Sequence, residues 1–236
     1  MMGRPDLRHR AVDEIEQMDE PGCDPRKLNR TYAQFPLVNA VVAGWRGVYR
    51  NRIRDRLAGD REHTLLDIGS GGGDLARAFA RWAARDGIDL HVTAIDPDQR
   101  AYNFAVQRPA ERVSYRQAAS SDLVREGQRF DVVISNHVLH HLCTEETAAM
   151  LADCERLANS YAVHSDIARS LLAYRLFSIG SLPFSPGSFI RPDGLTSIRR
   201  SYTLPELRDI APPGWSAESD TRLRNLLVRE FDAGHA

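Results

Sequence analysis

Lysine is almost missing from this 236-residue chain: Lys27 is the only one, and every other basic side chain is arginine. The bases and acids balance to a net charge of −1, so no global positive field exists to attract a nucleic-acid backbone. Cysteine is scarce too. Cys23, Cys143 and Cys154 form no CxxC pair and no even framework, which predicts reduced thiols in a cytoplasmic protein rather than a disulfide scaffold. No window approaches the ~20 apolar residues of a membrane-spanning helix, and the opening MMGRPDLRHRAVDEIEQMDE lacks an apolar leader core. There is no internal repeat and no low-complexity segment. What is present is an ordinary globular composition, 42% hydrophobic and 27% charged, on a chain long enough for one well-cored domain with an extra element.

The hydrophobic pattern divides the chain. Residues 6–20 read as a charged amphipathic helix or a tail, punctuated by EPGCDP at 20–25. Residues 31–58 carry Phe35, Val38, Val42, Trp45 and Tyr49 at helical spacing, which predicts one or two helices with a break near Pro36. From 64 to 166 short apolar runs alternate with helical stretches: strands at 64–68, 90–96, 112–118, 129–136 and 160–166, and helices at 73–87, 98–108 and 144–158. That alternation predicts an α/β fold, a mostly parallel sheet with helices on both faces. The stretch from 167 begins as a helix, then over 178–201 becomes rich in Pro, Gly and Ser and reads as an insertion over the sheet edge. A capped helix at 203–211 and two adjacent strands follow, predicting a terminal antiparallel hairpin and a sheet of seven strands. The expected organisation is therefore an N-terminal helical cap over 1–62 and a core over 63–236.

LLDIGSGGGDLA, at 65–76, is the densest signal. A buried strand ends in an acid, then glycines at 69, 71, 72 and 73 lead into a helix. Such a turn offers backbone N–H groups to a ligand. Read from Gly71, the stretch satisfies the dinucleotide pattern G-x-G-x-x-G/A, so the glycines alone leave NAD open. Asp96 suits the ribose hydroxyls of either NAD or S-adenosylmethionine (SAM). Asp67, two residues ahead of the first glycine, tips the balance. An acid beneath the loop suits the ammonium of SAM and disfavours a pyrophosphate. Asp74 is as readily a helix N-cap as a ligand contact.

Three motifs in this order, D-I-G-S-G-G-G (67–73), A-I-D-P-D (94–98) and F-D-V-V-I-S-N-H-V-L-H-H-L (130–142), resemble class I SAM-dependent methyltransferases. S-Y-T-L-P-E-L (201–207) before a hairpin is similar to that family too, and C-D-P-R-K-L-N-R-T-Y-A-Q-F (23–35) resembles the small bacterial members found beside type III polyketide synthases. The resemblance implies a Rossmann-like core and SAM as cofactor. It implies that Asp67, Gly69, Ser70 and Gly71 hold the methionine part, Asp96 the ribose, and Pro97 the adenine, with Asn136 and His137 beneath the transferring methyl. The usual acid after the third strand is replaced by Gln117, Ala118 and Ala119, leaving Ala119, Ser120, Ser121 and Asp122 as adenine contacts.

A phenol attacks better as phenolate, and histidine titrates near neutrality, so His137, His141 and His164 are candidate bases, His141 first. Asp166 would orient a histidine or the acceptor. His140 and His141 are not expected to face inward together. No metal is expected, since no second ligand pair has zinc spacing. Asp131 reads as structural, Trp45 and Tyr49 as core, and the IRR at 198–200 as a solvated face. Aromatics in the flanking segments favour a small apolar or aromatic acceptor over nucleic acid or protein. The expected activity is O-methylation of a phenolic, polyketide-type acceptor. Carbon methylation, an NAD(P)-dependent oxidoreductase and a non-catalytic SAM-binding regulator are the alternatives; the lone Lys27 offers no Tyr-Lys pair to the oxidoreductase.

Overall fold

The computed structural model describes residues 5–42, 44–184 and 186–231, with the side chains of 40–42, and hence of Val42, outside the description. Its centre is a seven-stranded sheet in the order β3-β2-β1-β4-β5-β7-β6. The strands are β1 (His63–Ile68), β2 (Leu90–Asp96), β3 (Val113–Gln117), β4 (Phe130–Asn136), β5 (Ala158–Ile167), β6 (Ser216–Thr221) and β7 (Arg224–Glu230). β1 to β5 run parallel, and β7 pairs antiparallel with both β5 and β6. This is the expected seven-stranded, mostly parallel sheet closed by an antiparallel hairpin.

Side chains alternate between the faces, as the pleat demands. Leu65, Val132, Ile134 and Val163 join one core with Phe79 and Ala83 of α3 (Asp74–Arg85). Leu66, Val133, Ala162 and Leu227 join the other with Leu123 of α5 (Ser120–Arg125), Met150, Leu151 and Leu157 of α6 (Thr144–Leu157) and Leu207 of α9 (Leu204–Ile210). Each Val, Leu, Ile, Phe or Met among them, fully buried, contributes roughly 1.5–3 kcal/mol. The edge strand β6, SAESDT, leaves polar residues facing solvent and so resists edge-to-edge pairing.

Several expectations are corrected. Residues 5–24 form no helix; they run as a strap of bends and turns. α1 (Pro25–Val42) continues through Pro36, at the expense of one backbone hydrogen bond, and a second helix starts only after Gly44, whose φ is +55°. Trp45, Tyr49, Ile53 and Leu57 are buried against α3 and the sheet, so 45–57, beginning with α2 (Trp45–Val48), belongs to the core rather than to a separate cap. α5 has no counterpart among the expected elements. α4 (Gln99–Val106) matches its prediction.

α7 (Leu171–Gly180) forms where a helix is expected, but the stretch after it, expected to be irregular, holds a further helix, α8 (Ile190–Arg200). Pro192 falls in the first turn of α8, where its missing N–H costs nothing. Gly194 lies under Phe177 of α7: a Cβ there would sit 2.3 Å from the ring. Residues that look like loop punctuation are a helix start and a close helix–helix contact. The arginines of IRR are not on a solvated face either. Arg200 is buried, and Ile198 is fully enclosed.

Candidate active site

Strand ends place the acids. Asp67, Asp96, Asn136 and Asp166 all lie at or near the carboxyl ends of parallel strands, and β1 and β4, where the strand order reverses, lie side by side. Ligands of open α/β sheets bind at that position.

The glycine loop between β1 and α3 is tied to β2 on both sides. Ser70 donates its N–H to the Ile95 carbonyl at 3.0 Å, and Gly71 donates to Asp96 Oδ2 at 2.8 Å. Gly69 has φ +65°, and a Cβ there would lie 2.5 Å from Val138 Cγ2, so both backbone and space require glycine. Asp67 is 1% exposed, and its Oδ2 has no hydrogen-bond partner. Burial, then the neighbouring Asp74 and Asp96, push its carboxyl well above the usual range. Asp74 is the first residue of α3, and Gly73 occupies the N-cap position. The Asp74 carboxylate instead accepts Asn39 Nδ2–H at 3.0 Å, and burial raises it too. A buried, unpartnered carboxyl beneath a glycine loop fits a cationic group and gives nothing to a pyrophosphate.

These groups open into one cavity of about 700 Å³, within the ~300–1,000 Å³ range of small-molecule sites. Asp67, Gly69, Ser70, Gly71, Asp96, Pro97, Ala119, Ser120, Asn136, His137 and His141 all line it. Asn136 is held by Trp45, whose Nε1–H donates to Asn136 Oδ1 at 2.8 Å. Three expected residues stand elsewhere. Asp122 does not line the cavity; its carboxylate accepts the Ala119 N–H at 2.8 Å, capping α5, and pairs with Arg125. His164 is fully buried in the sheet, 2.7 Å from Ser135 Oγ and stacked on Trp215; burial drops its pKa to about 3, so it is core. Asp166 lies behind the wall and acts on the histidines.

Asp166 contacts two imidazoles. Its Oδ1 is 2.8 Å from His140 Nδ1 and 3.4 Å from His137 Nδ1, and its Oδ2 accepts the His140 N–H at 2.9 Å. His137 holds φ +58°, strained for a non-glycine residue, and is fixed by its N–H donating to the Ser165 carbonyl. On the other side of His140, Glu16 Oε1 lies 3.3 Å from Nε2, an ion-pair distance outside hydrogen-bond geometry. Burial alone would lower the His140 pKa, but Asp166 and Glu16 outweigh it and push it up to about 10. Burial likewise raises Asp166 and Glu16, and the imidazoles more than reverse this, leaving Asp166 well below the carboxylate range and Glu16 at about 2. The His141 ring stacks on His140, centroids 4.2 Å apart, and turns Nδ1 to Asp19 Oδ2 at 3.1 Å. Both histidines therefore line the cavity, against expectation: the turn Leu139–His141 is 3₁₀, and the strap meets both rings.

Glu16 was invisible in the sequence, where it is one acid among several in EIEQMDE. The strap that delivers it is anchored on α8. Asp193 accepts the N–H groups of Gln17 and Met18 at 2.8 and 3.0 Å, Ser197 donates its hydroxyl to Glu16 at 2.7 Å, and Arg200 donates to the Glu14 carbonyl at 2.6 Å. Asp153 of α6 is a further unforeseen lining acid, 2.7 Å from Ser120 Oγ. Asp131 is structural as expected, bound by Arg61 and the Thr64 N–H. Two groups, Glu16–His140–His141 and His137–His140–Asp166, have ligand-type atoms within 4.8 Å. Both share His140, and Asp166 and Glu16 already flank its two ring nitrogens.

Fold and site together define a Rossmann-like methyltransferase. Residues 65–160 match a family described as "Methyltransferase domain". The chain is 30% identical over 191 residues to a ubiquinone biosynthesis O-methyltransferase of Caulobacter sp. strain K31, covering 70% of each chain. It is 33% identical over 124 residues to the protein of that name from Caulobacter vibrioides, covering 50% of this chain and 46% of that one. The fold is similar to a magnesium protoporphyrin IX methyltransferase from Synechocystis PCC 6803 with bound S-adenosylhomocysteine (SAH): TM-score 0.53, 21% identity, 85% of each chain. It is also similar to a plantazolicin methyltransferase in complex with SAH, with TM-score 0.54 and 12% identity over 86% of this chain and 95% of that one. The chain belongs to the class I SAM-dependent methyltransferases; it is an enzyme, and SAM is its cofactor. No helix among the described residues is long and apolar enough to cross a membrane.

Proposed function

We propose that this methyltransferase acts on the oxygen of a small phenolic acceptor of polyketide type. The observation that carries this reading is His141 at the cavity wall, its Nδ1 facing Asp19 Oδ2 at 3.1 Å. That closer contact favours the proton on Nδ1 and leaves Nε2, 3.8 Å from Glu16 Oε1, to take up the phenol proton, the resulting imidazolium lying between the two carboxylates. The walls beyond the glycine loop, including Phe35, Met150, Phe177, Phe189 and Ile190, suit an aromatic body. The names of the relatives, O-methyltransferases of ubiquinone biosynthesis, support an oxygen acceptor.

SAM supplies a methyl group already activated by positive sulfur. In this reading Asp67 meets its ammonium, Asp96 its ribose, and Pro97, Ala119 and Ser120 its adenine, while Asn136 and His137 border the transfer point. The strap, α1 and the 178–201 segment serve as the lid that excludes water. Orienting acceptor and methyl in line supplies ~7–11 kcal/mol, and removing the phenol proton at His141 a further ~10²–10⁴-fold. Incubation with SAM and a panel of resorcinols and catechols, followed by product mass and NMR, tests this. An O-methyl product is expected. A methyl on ring carbon, or transfer undiminished in His141→Ala, would sink it.

A further inference from the structure

Nine aspartate and glutamate side chains line the cavity, and no lysine or arginine does among the described residues, in a chain with 31 of these cations. Asp67, Asp74, Asp96 and Asp98 lie along the part assigned above to SAM. Glu16 and Asp19 of the strap, Glu146 of α6 and Asp193 of α8 accompany the apolar walls on the other side. Two guanidiniums behind that wall are turned into the main chain. Arg200 donates to the carbonyls of His140 and His141, both at 3.2 Å, and Arg10 donates to the carbonyl of Arg200 at 2.6 Å. The charge on His140 is already covered by Asp166 and Glu16.

We propose that this site selects acceptors without a carboxylate, phosphate or sulfate, taking an uncharged or amine-bearing aromatic nucleophile. The inference deepens the phenolic reading and rests on its assignment of the cavity to the acceptor. An anionic acceptor would lose its hydration among like charges and find no lysine or arginine on the wall to pair with, whereas an amine would find several carboxylates. The acids of this wall already repel one another. Burial, with Glu16 and Asp19 adding to it, lifts Asp193 to about 7 despite two N–H donors. A consequence for reaction order follows: an aromatic acid must be decarboxylated, esterified or reduced before it is methylated here.

The test is calorimetric binding of protocatechuic acid, its methyl ester and dopamine to the SAH-loaded enzyme, with turnover of the same three compounds in SAM. The ester and the amine are expected to bind at least about tenfold more tightly than the acid. An acid bound within about threefold of the ester overturns the proposal, as does failure of both ester and amine to bind. The expected order without any O-methyl product supports the selection rule and sinks the phenolic reading instead. Asp19→Lys, at the half-exposed rim, should raise the ratio of acid to ester affinity; an unaltered ratio overturns the electrostatic account.

Discussion

Glu16 Oε1 lies 3.3 Å from His140 Nε2, one residue delivered by the N-terminal strap and the other by the turn after β4. With Asp166 on the opposite ring nitrogen, His140 is an imidazolium clamped between two buried carboxylates. The clamp joins the strap to the carboxyl end of the sheet and so shapes the cavity wall. Removing one partner of such a cluster is costly, because the remaining charges lose their compensation inside the protein.

His140→Ala should therefore destabilise the fold by about 3–5 kcal/mol, read from chemical denaturation. The pH dependence has a definite sign. His140 has a folded pKa of about 10 against an ordinary 6.5, so its stabilisation is complete below 6.5 and declines as pH rises towards 10. Glu16, held at about 2 against 4.5, contributes above 4.5 and is lost as pH falls towards 2. Melting temperatures across pH should show both limbs, and the alkaline decline should flatten in His140→Ala.

Asp67 should matter more to the cofactor than Asp74, because one carboxyl oxygen of Asp67 is unpartnered while Asp74 is bound by Asn39. Asp67→Ala is expected to weaken SAH binding at least about tenfold, and Asp74→Ala clearly less. Equal effects by calorimetry would count against the assignment. Asp67→Asn should also raise the melting temperature of the cofactor-free enzyme above about pH 5. Burial holds the folded carboxyl well above the ordinary aspartate value of 3.8, so its ionisation penalises folding as pH rises.

His141→Gln should lower kcat by about 10²–10³ and leave SAH affinity within about threefold, since the residue is assigned to proton removal and not to the cofactor. Single-turnover and binding measurements separate the two effects. A loss of SAH affinity as large as the loss of rate would place His141 in the cofactor site instead.

Gly69→Ala and Gly71→Ala make a controlled pair. Both positions have positive φ, +65° and +51°, which costs alanine about 1–2 kcal/mol. Gly69 adds a clash with Val138, whereas nothing lies within 4 Å of a Cβ at Gly71. Thermal unfolding of the cofactor-free variants should rank Gly69→Ala as the less stable.

Much of the fold was legible because it is written in local pattern. The strands β1, β2, β4 and β5 announce themselves as short apolar runs, and Thr203 with Glu206 marks the start of α9 through a capping arrangement. The cofactor side of the site was legible for a related reason. Asp67, the glycines and Asp96 sit at strand ends, where the chain's own direction puts them together. The α8 stretch was misread because Pro192 and Gly194 carry the signature of a loop, and only contact with Phe177 explains the glycine.

The sequence by itself determined the alternation, the glycine turn and the acid beneath it, since these depend on neighbours in the chain. Tertiary structure decided which acids meet which histidines. Asp166 and Glu16 reach His140 from a strand end and from the strap, and Asp122 is diverted to cap α5. Charge pairing in a buried site depends on distance through space, and no local pattern encodes the folding of residues 5–24 across α8.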